Sequence, residues 1–257
     1  QRAPIAAVST LDQADKPTSV QHVKALDAPK GILLLGVQGS GKSLAAKAVA
    51  GVWQRPLLRL DMAALYNKYI GETEKNLRNA LDLADMMSPC VLWIDEIEKG
   101  LSGSSSDEGT STRILGTLLT WMAERKSEVF VVATANDIQA LPPELMRKGR
   151  MDEIFFVDLP DEAIRKAIFL IHCQRRGIDV ASLDLAQLSA RSQGFSGAEI
   201  EQAVIAAMYT ARSVERSVDQ VLLLEELSKT RPLSVVMSDK INALRQWAAS
   251  RTVNAHE

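Results

Sequence analysis

The run LLLGVQGSGKSLAAKAVAG, residues 33–51, decides how the rest of the chain is read. An apolar stretch stops at Gly36, a glycine-spaced loop follows, and Lys42 and Ser43 lead into an alanine-rich run. The loop Gly36-Val37-Gln38-Gly39-Ser40-Gly41-Lys42-Ser43 fits the pattern G-x-x-x-x-G-K-[ST]. Two readings compete: a tight turn that happens to be rich in glycine, or a cradle for phosphate. Glycines let successive backbone N–H groups curl around an anion without Cβ clashes. A helix that begins there turns its positive end to the same anion. In such a loop Lys42 reaches the β- and γ-phosphates and Ser43 ligates Mg²⁺. A chance match in a chain of this length is on the order of one in a hundred at ordinary glycine usage. The strand pattern before it and the helix pattern after it favour the cradle.

Outward from the loop, short apolar runs alternate with helical stripes. GILLL (31–35), PLLRLD (56–61), CVLWID (90–95), VFVVATAN (129–136) and EIFFVDLP (153–160) read as strands, the last of them as the final strand of the chain. Residues 43–52, 76–87 and 113–124 read as helices, with Leu77, Ala80, Leu81 and Ala84 marking the apolar stripe of the second. GLSGSSSDEGTS (100–111), rich in glycine and serine, reads as a mobile loop. Strands apolar on both faces and separated by helices predict a parallel sheet covered on both sides. After Pro160 only helices are predicted, over 161–176, 184–191, 196–214 and 238–250, with Ser196 and Glu199 spaced as a capping box. The expected organisation is a lead-in over 1–30, an α/β domain over 31–160 and a helical domain over 161–257.

Composition narrows the partners. A net charge of −2 gives no bulk field to recruit nucleic acid or an anionic membrane. No apolar run is long enough to cross a bilayer. Cys90 and Cys173 sit in apolar settings without metal-ligand spacing, so buried thiols in a reducing compartment are expected. The chain opens on Gln1 rather than Met, which fits a piece of a longer protein, so the lack of a targeting signal carries no weight. Trp53, Trp93, Trp121 and Trp247 read as core or contact anchors. His22, His172 and His256 are scattered and form no triad.

Three further elements belong with the loop. Asp95 and Glu96 follow VLWI directly, at the carboxyl end of a buried strand, where α/β sheets place ligands. There Asp95 suits holding Mg²⁺ through water and Glu96 serving as a base for an attacking water. Asn136 ends the next strand, where its amide suits orienting that water; a turn-forming Asn is the plainer alternative. Arg147 and Arg150, in LMRKGRMDE, carry the planar guanidinium that suits phosphate better than lysine does. Their distance from the loop points to delivery in trans, to a neighbouring copy.

Taken together, these residues resemble the AAA+ ATPases, in particular the AAA-proper branch, over roughly residues 28–251. Walker A is similar to 36–43, Walker B to 91–96, sensor 1 to Asn136, and the arginine-finger region to 141–152. The resemblance implies a P-loop NTPase fold, a three-layer arrangement around a parallel sheet, followed by a small α-helical lid. It implies ATP and Mg²⁺ as cofactors. ATP would be held by Gly36, Val37, Gln38, Gly39, Ser40, Gly41, Lys42, Ser43, Leu44 and Asp95, with Gly197 and Ala198 of GFSGAE (194–199) near the base. Ser43 and Asp95 are the implied metal positions; Glu96, Asn136, Arg147 and Arg150 are the implied catalytic set. Lys68, Tyr69, Ile70 and Gly71 resemble the first pore loop, whose aromatic tip grips an extended polypeptide in that family. The 100–111 loop falls where a second pore loop is expected, with Arg113 toward the subunit boundary.

Longer runs, LLRLDMAALYNKYIGETE, SPCVLWIDEIEKG, FVVATANDIQALPPELMRKGRMDEIFFVDLP and GFSGAEIEQAVIAAMYTA among them, resemble the Ycf-type AAA proteins of cyanobacteria, plastids and other bacteria. That resemblance implies a cytoplasmic setting, either bacterial cytosol or plastid stroma. The glycine–leucine segment that seats adenine in AAA-proper domains is not evident in 1–30, which leaves the adenine contacts open. The implied activity is Mg²⁺-dependent ATP hydrolysis in a homo-oligomeric ring, expected to be a hexamer, coupled to remodelling or threading of a protein client of unknown identity. The alternative is a nucleotide-gated assembly switch with slow turnover. A nucleic-acid motor is disfavoured by the slightly acidic charge and the aromatic pore tip.

Overall fold

Each apolar run ends where a glycine, an acid or Asn136 stops it, and the strands so defined assemble in parallel. The structure is a computed structural model that describes residues 28–62, 64, 70–101, 108–147 and 149–255. Within these residues the order is β1 (Gly31–Gly36), α1 (Lys42–Trp53), β2 (Leu57–Asp61), α2 (Ile70–Met86), β3 (Cys90–Asp95), α3 (Glu108–Glu124), β4 (Val129–Ala135) and β5 (Glu153–Val157). Then come α4 (Glu162–Arg175), α5 (Leu185–Arg191), α6 (Gly197–Ser213), α7 (Gln220–Lys229), α8 (Leu233–Val236), α9 (Ser238–Ala248) and β6 (Val253–Asn254). The six strands form one sheet in the order β2-β3-β4-β1-β5-β6, every pair parallel. This is the P-loop NTPase α/β fold with a helical C-terminal part. The chain leaves β1 toward one side of the sheet and returns to β5 on the other, so the loop after β1 lies at the switch point where such sheets bind ligands.

Alternation along β1 divides the core. Leu33 and Leu35 face a layer made by Leu77 and Leu81 of α2, Ile114, Leu118 and Met122 of α3, and Leu244 and Ala248 of α9. Leu34 faces the opposite layer, with Val91, Trp93 and Val132, under Ala46 and Ala50 of α1. Each fully buried leucine stabilises the fold by roughly 1.5–3 kcal/mol, which fixes the register from both faces. A separate cluster, Phe169, Cys173, Leu188, Ile200, Val204, Leu222 and Leu223, holds α4 to α7 together. Its helices start at side-chain caps: Asp161 accepts the Ile164 N–H at 2.8 Å, Asp219 the Leu222 N–H at 2.9 Å, and Ser196 with Glu199 closes a capping box. Cys90 and Cys173 are free and buried.

The structure departs from the sequence reading in several places. β5 stops at Val157 rather than running to 160, because Asp158 turns away to meet Arg245 at 2.8 and 2.9 Å. It is not the last strand: Val253 and Asn254 add β6 to its outer edge. α2 and α3 begin several residues earlier than their apolar stripes suggested, and the second takes in the end of the glycine–serine stretch. Helices α7 and α8 were not foreseen. The C-terminal helix α9 leaves the α4–α7 cluster and packs its Leu244 and Ala248 back on the sheet layer.

Candidate functional site

The glycines of the loop do different work. A Cβ on Gly36 would sit 2.0 Å from the Val157 carbonyl oxygen, so this glycine lets β1 and β5 close together. Gly39 and Gly41 have φ of 78° and 104°, the left-handed region that favours glycine. A Cβ on Gly39 would meet Ser196 Oγ at 2.9 Å and Ala198 Cβ at 3.0 Å, while one on Gly41 would meet nothing within 4 Å. The loop is therefore pressed against the first turn of α6 on one side and open at Gly41. Ala198 N–H donates to the Gly39 carbonyl at 3.2 Å, which ties Gly197 and Ala198 to the loop.

α1 starts at Lys42 with no acidic residue in its first turn, so its amide end is left positive. Leu44 in that turn is 69% exposed, a large apolar side chain beside the loop held out to solvent. The Lys42 ammonium is buried and donates to the Gly36 and Val37 carbonyls at 2.8 and 2.7 Å. Burial pushes it down to about 8, against the opposing pull of Glu98, Asp95 and Glu96. Ser40 Oγ is buried and has no hydrogen-bond partner among the described residues.

The acids stand at the ends of neighbouring strands. Register pairs Asp95 with Asp61 and Ile94 with Ala133, which brings Thr134 against Asp95. Thr134 Oγ1 donates to Asp95 Oδ1 at 2.9 Å and accepts the Glu96 N–H at 3.0 Å. Arg59 Nη2 donates to Asp95 Oδ2 at 2.8 Å. Glu96 holds a left-handed backbone at φ 49°, a conformation that costs a non-glycine residue about 1–3 kcal/mol and clusters at functional sites. Its Oε1 accepts from Asn136 Nδ2 at 3.2 Å and its Oε2 pairs with Lys99 at 2.5 Å. The buried Glu98 accepts the Asn136 N–H at 2.9 Å; burial pushes its carboxyl up, partly offset by that N–H.

The structure thus gathers Lys42, Asp95, Glu96, Asn136, Gly197 and Ala198 around the loop. It also adds Thr134, Glu98, Lys99 and Arg59, which sequence reasoning missed. One signal for Thr134 was available: it is the only hydroxyl in an otherwise apolar strand. Arg147 and Arg150 lie elsewhere. They precede β5, whose first residue pairs with Ile32 at the amino end of β1. At about 3.3 Å per residue, β1 separates that end from the loop by on the order of 17 Å. Asp152 fixes the segment there, accepting the Lys30 and Gly31 N–H groups at 2.6 and 2.9 Å. Arg150 Nη1 donates to the Glu144 carbonyl at 2.8 Å, whereas Arg147 is exposed. Lys68 and Tyr69 lie outside the described residues. Ile70 and Gly71, read from sequence as part of a loop tip, form the first turn of α2.

The donor set fits ATP with Mg²⁺. A glycine loop open at Gly41, a helix amino end, a buried ammonium and an orphaned Ser40 hydroxyl suit phosphates. Mg²⁺ asks for only one or two protein ligands beside phosphate, and Ser43 and Asp95 would be the residues to supply them. A groove of about 640 Å³ lies apart from this chemistry, between α2 and α3, lined by Glu74, Arg78, Asp82, Arg113 and Trp121. Among the described residues no helix is long and apolar enough to cross a membrane.

Residues 32–159 match the family described as ATPase family associated with various cellular activities (AAA). A Pyropia yezoensis protein described as a ycf46 AAA domain-containing protein is 48% identical over 226 residues, 87% of this chain and 46% of its own length. The proteasome-activating nucleotidase of Aeropyrum pernix is 36% identical over 193 residues, 72% of this chain and 47% of its own length. The crystal structure of the FIGL-1 AAA domain superposes with a TM-score of 0.72 at 24% identity, covering 87% of this chain and 78% of that one, a likeness of fold alone. The chain spans about half the length of the curated relatives it matches.

Proposed function

The chain belongs to the AAA family of ATPases, and from that premise we propose that it is a Mg²⁺-dependent ATPase working as a ring, with each ATP held between two copies. The observation that carries the reading is the split of the site. Lys42 and three carboxylates cluster at the carboxyl end of β1, while the arginines sit at its amino end. When bound, ATP would supply the phosphoryl group and Mg²⁺ would neutralise negative charge on it. Lys42, charged at neutral pH, leaves the Gly36 and Val37 carbonyls for phosphate oxygens. Ser43 and Asp95 would hold the metal. Glu96, positioned by Asn136, takes the proton of the attacking water. Arg147 of the neighbouring copy faces the developing charge, and Arg150 braces the segment that presents it.

The likeness to a proteasome-activating nucleotidase supports work on a protein client. The lid contact at Gly39 offers a route, since any shift of the phosphate loop moves the first turn of α6. The test is Glu96→Gln: it should bind ATP with near wild-type affinity and lose turnover by about 10²–10⁴-fold. Wild-type turnover in that variant would remove Glu96 from the role. One contact favours a second reading, a slow nucleotide-timed assembly switch. Lys99 occupies one Glu96 oxygen while Asn136 occupies the other, which leaves the carboxylate a restrained base. Under that reading Lys99→Met should speed turnover.

A further inference from the structure

Asp95 is already engaged on both oxygens by its own chain. Thr134 donates to Oδ1 at 2.9 Å and Arg59 to Oδ2 at 2.8 Å. The strand register explains why. Arg59 lies opposite Trp93 and Asp61 opposite Asp95 on paired strands, and side chains two residues apart share a face, so all four point the same way. Arg59 is the one cation of β2. Its side chain is 53% exposed, against 14% for Asp95. The guanidinium lies over the Trp93 ring at 4.9 Å and has a second carboxylate, Asp61, at 3.8 Å.

This is a cation placed on the carboxylate that the proposed reading assigns to the metal. We infer that Arg59 competes with Mg²⁺ for Asp95 and sets the free Mg²⁺ concentration at which the site fills, an inference that rests on the ATPase reading above. Two positive charges cannot share one carboxylate oxygen without repulsion, so metal entry displaces the guanidinium. The displaced group keeps a resting place. It stays stacked on Trp93, a favourable contact for a planar cation, and turns toward Asp61. The arrangement makes Arg59 a positioning residue: it touches neither nucleotide nor water, and it acts through the occupancy of Asp95.

The test is a Mg²⁺ titration of fluorescent ATP binding to this chain, followed by anisotropy, for wild type, Arg59→Met and Arg59→Lys. Met keeps the stem over Trp93 and removes the charge; Lys keeps a charge and loses the planar fork. Arg59→Met should lower the half-saturating free Mg²⁺ about two- to fivefold, the scale of one partly exposed ion pair. Arg59→Lys should fall between it and wild type. Nucleotide affinity at saturating Mg²⁺ should stay unchanged. An unmoved half-saturation in both variants would show Arg59 to be packing on Trp93 only. A loss of affinity at saturating Mg²⁺ would make it a phosphate ligand instead. If wild type binds no nucleotide, or binds it without regard to Mg²⁺, the underlying ATPase reading fails and this inference with it.

Discussion

The two ends of β1 carry the same kind of residue to opposite effect. At the carboxyl end, charge is buried and mutually constrained: Lys42 is held near 8 by burial, Glu98 is pushed up by it, and Glu96 is pinned between Asn136 and Lys99. At the amino end, Asp152 and Arg150 are spent on the backbone, and Arg147 stands exposed. One end is a site built to be entered; the other is a rigid mount that presents a cation outward. On the proposed reading, neither end is complete within a single copy. The mount is what a heterologous, head-to-tail contact would use, since such contacts close into rings.

The strongest way to break the contrast is to remove the outward cation. Arg147→Ala should reduce ATP turnover by about 10³-fold or more while leaving ATP affinity nearly unchanged. Paired turnover and nucleotide-binding measurements check this; a parallel loss of affinity would place Arg147 in ground-state binding. A second substitution sharpens which glycine serves the fold. Gly36→Ala drives a methyl into the Val157 carbonyl and should destabilise the chain by about 1–3 kcal/mol, read as a lower urea midpoint. Gly41→Ala meets no atom and should cost only its left-handed backbone, about 1–2 kcal/mol at most, while blocking the cradle.

The smallest effect concerns how α9 reaches the carboxyl end. Lys240 donates to Asp137 at 2.8 Å, one residue past Asn136, and this contact holds the Asp137 carboxyl below its usual range. A depressed carboxyl adds stability at pH values above its unfolded pKa of about 3.9, and that stability disappears as pH falls through the folded value. Both side chains are partly exposed, so a double-mutant cycle should give only a few tenths of a kcal/mol at pH 7, shrinking as pH falls below the unfolded carboxyl value. A coupling that persisted in acid would not be this ion pair.

How much of this was legible beforehand follows from what is local. β3 was readable to the residue because a continuous apolar run ends in an acid, and the phosphate loop because its chemistry sits in eight consecutive positions. β6 has two residues, too few to show any periodicity, and its existence depends on α9 carrying the chain back to β5. α2 extends back to Ile70 through a first turn, Ile-Gly-Glu-Thr, that carries neither an apolar stripe nor strong helix propensity, so no local pattern announces it. The residues missed at the site are those joined across strands. Thr134 and Arg59 reach Asp95 only through the β3–β4 and β2–β3 registers, and register is a property of packing that no single segment states. The contact of Ala198 with Gly39 spans more of the chain still, and only the family resemblance pointed to it.

The claim that the site is completed by a second copy is tested most directly by mixing two inactive chains. Lys42→Ala spoils the phosphate loop and keeps Arg147; Arg147→Ala does the reverse. Each alone should show background turnover. Mixed in equal amounts and allowed to exchange, they should regain activity at up to about a quarter of sites, those where an intact loop meets an intact arginine in a randomly mixed ring. A mixture that stays at background, although both variants bind each other, would contradict the shared site.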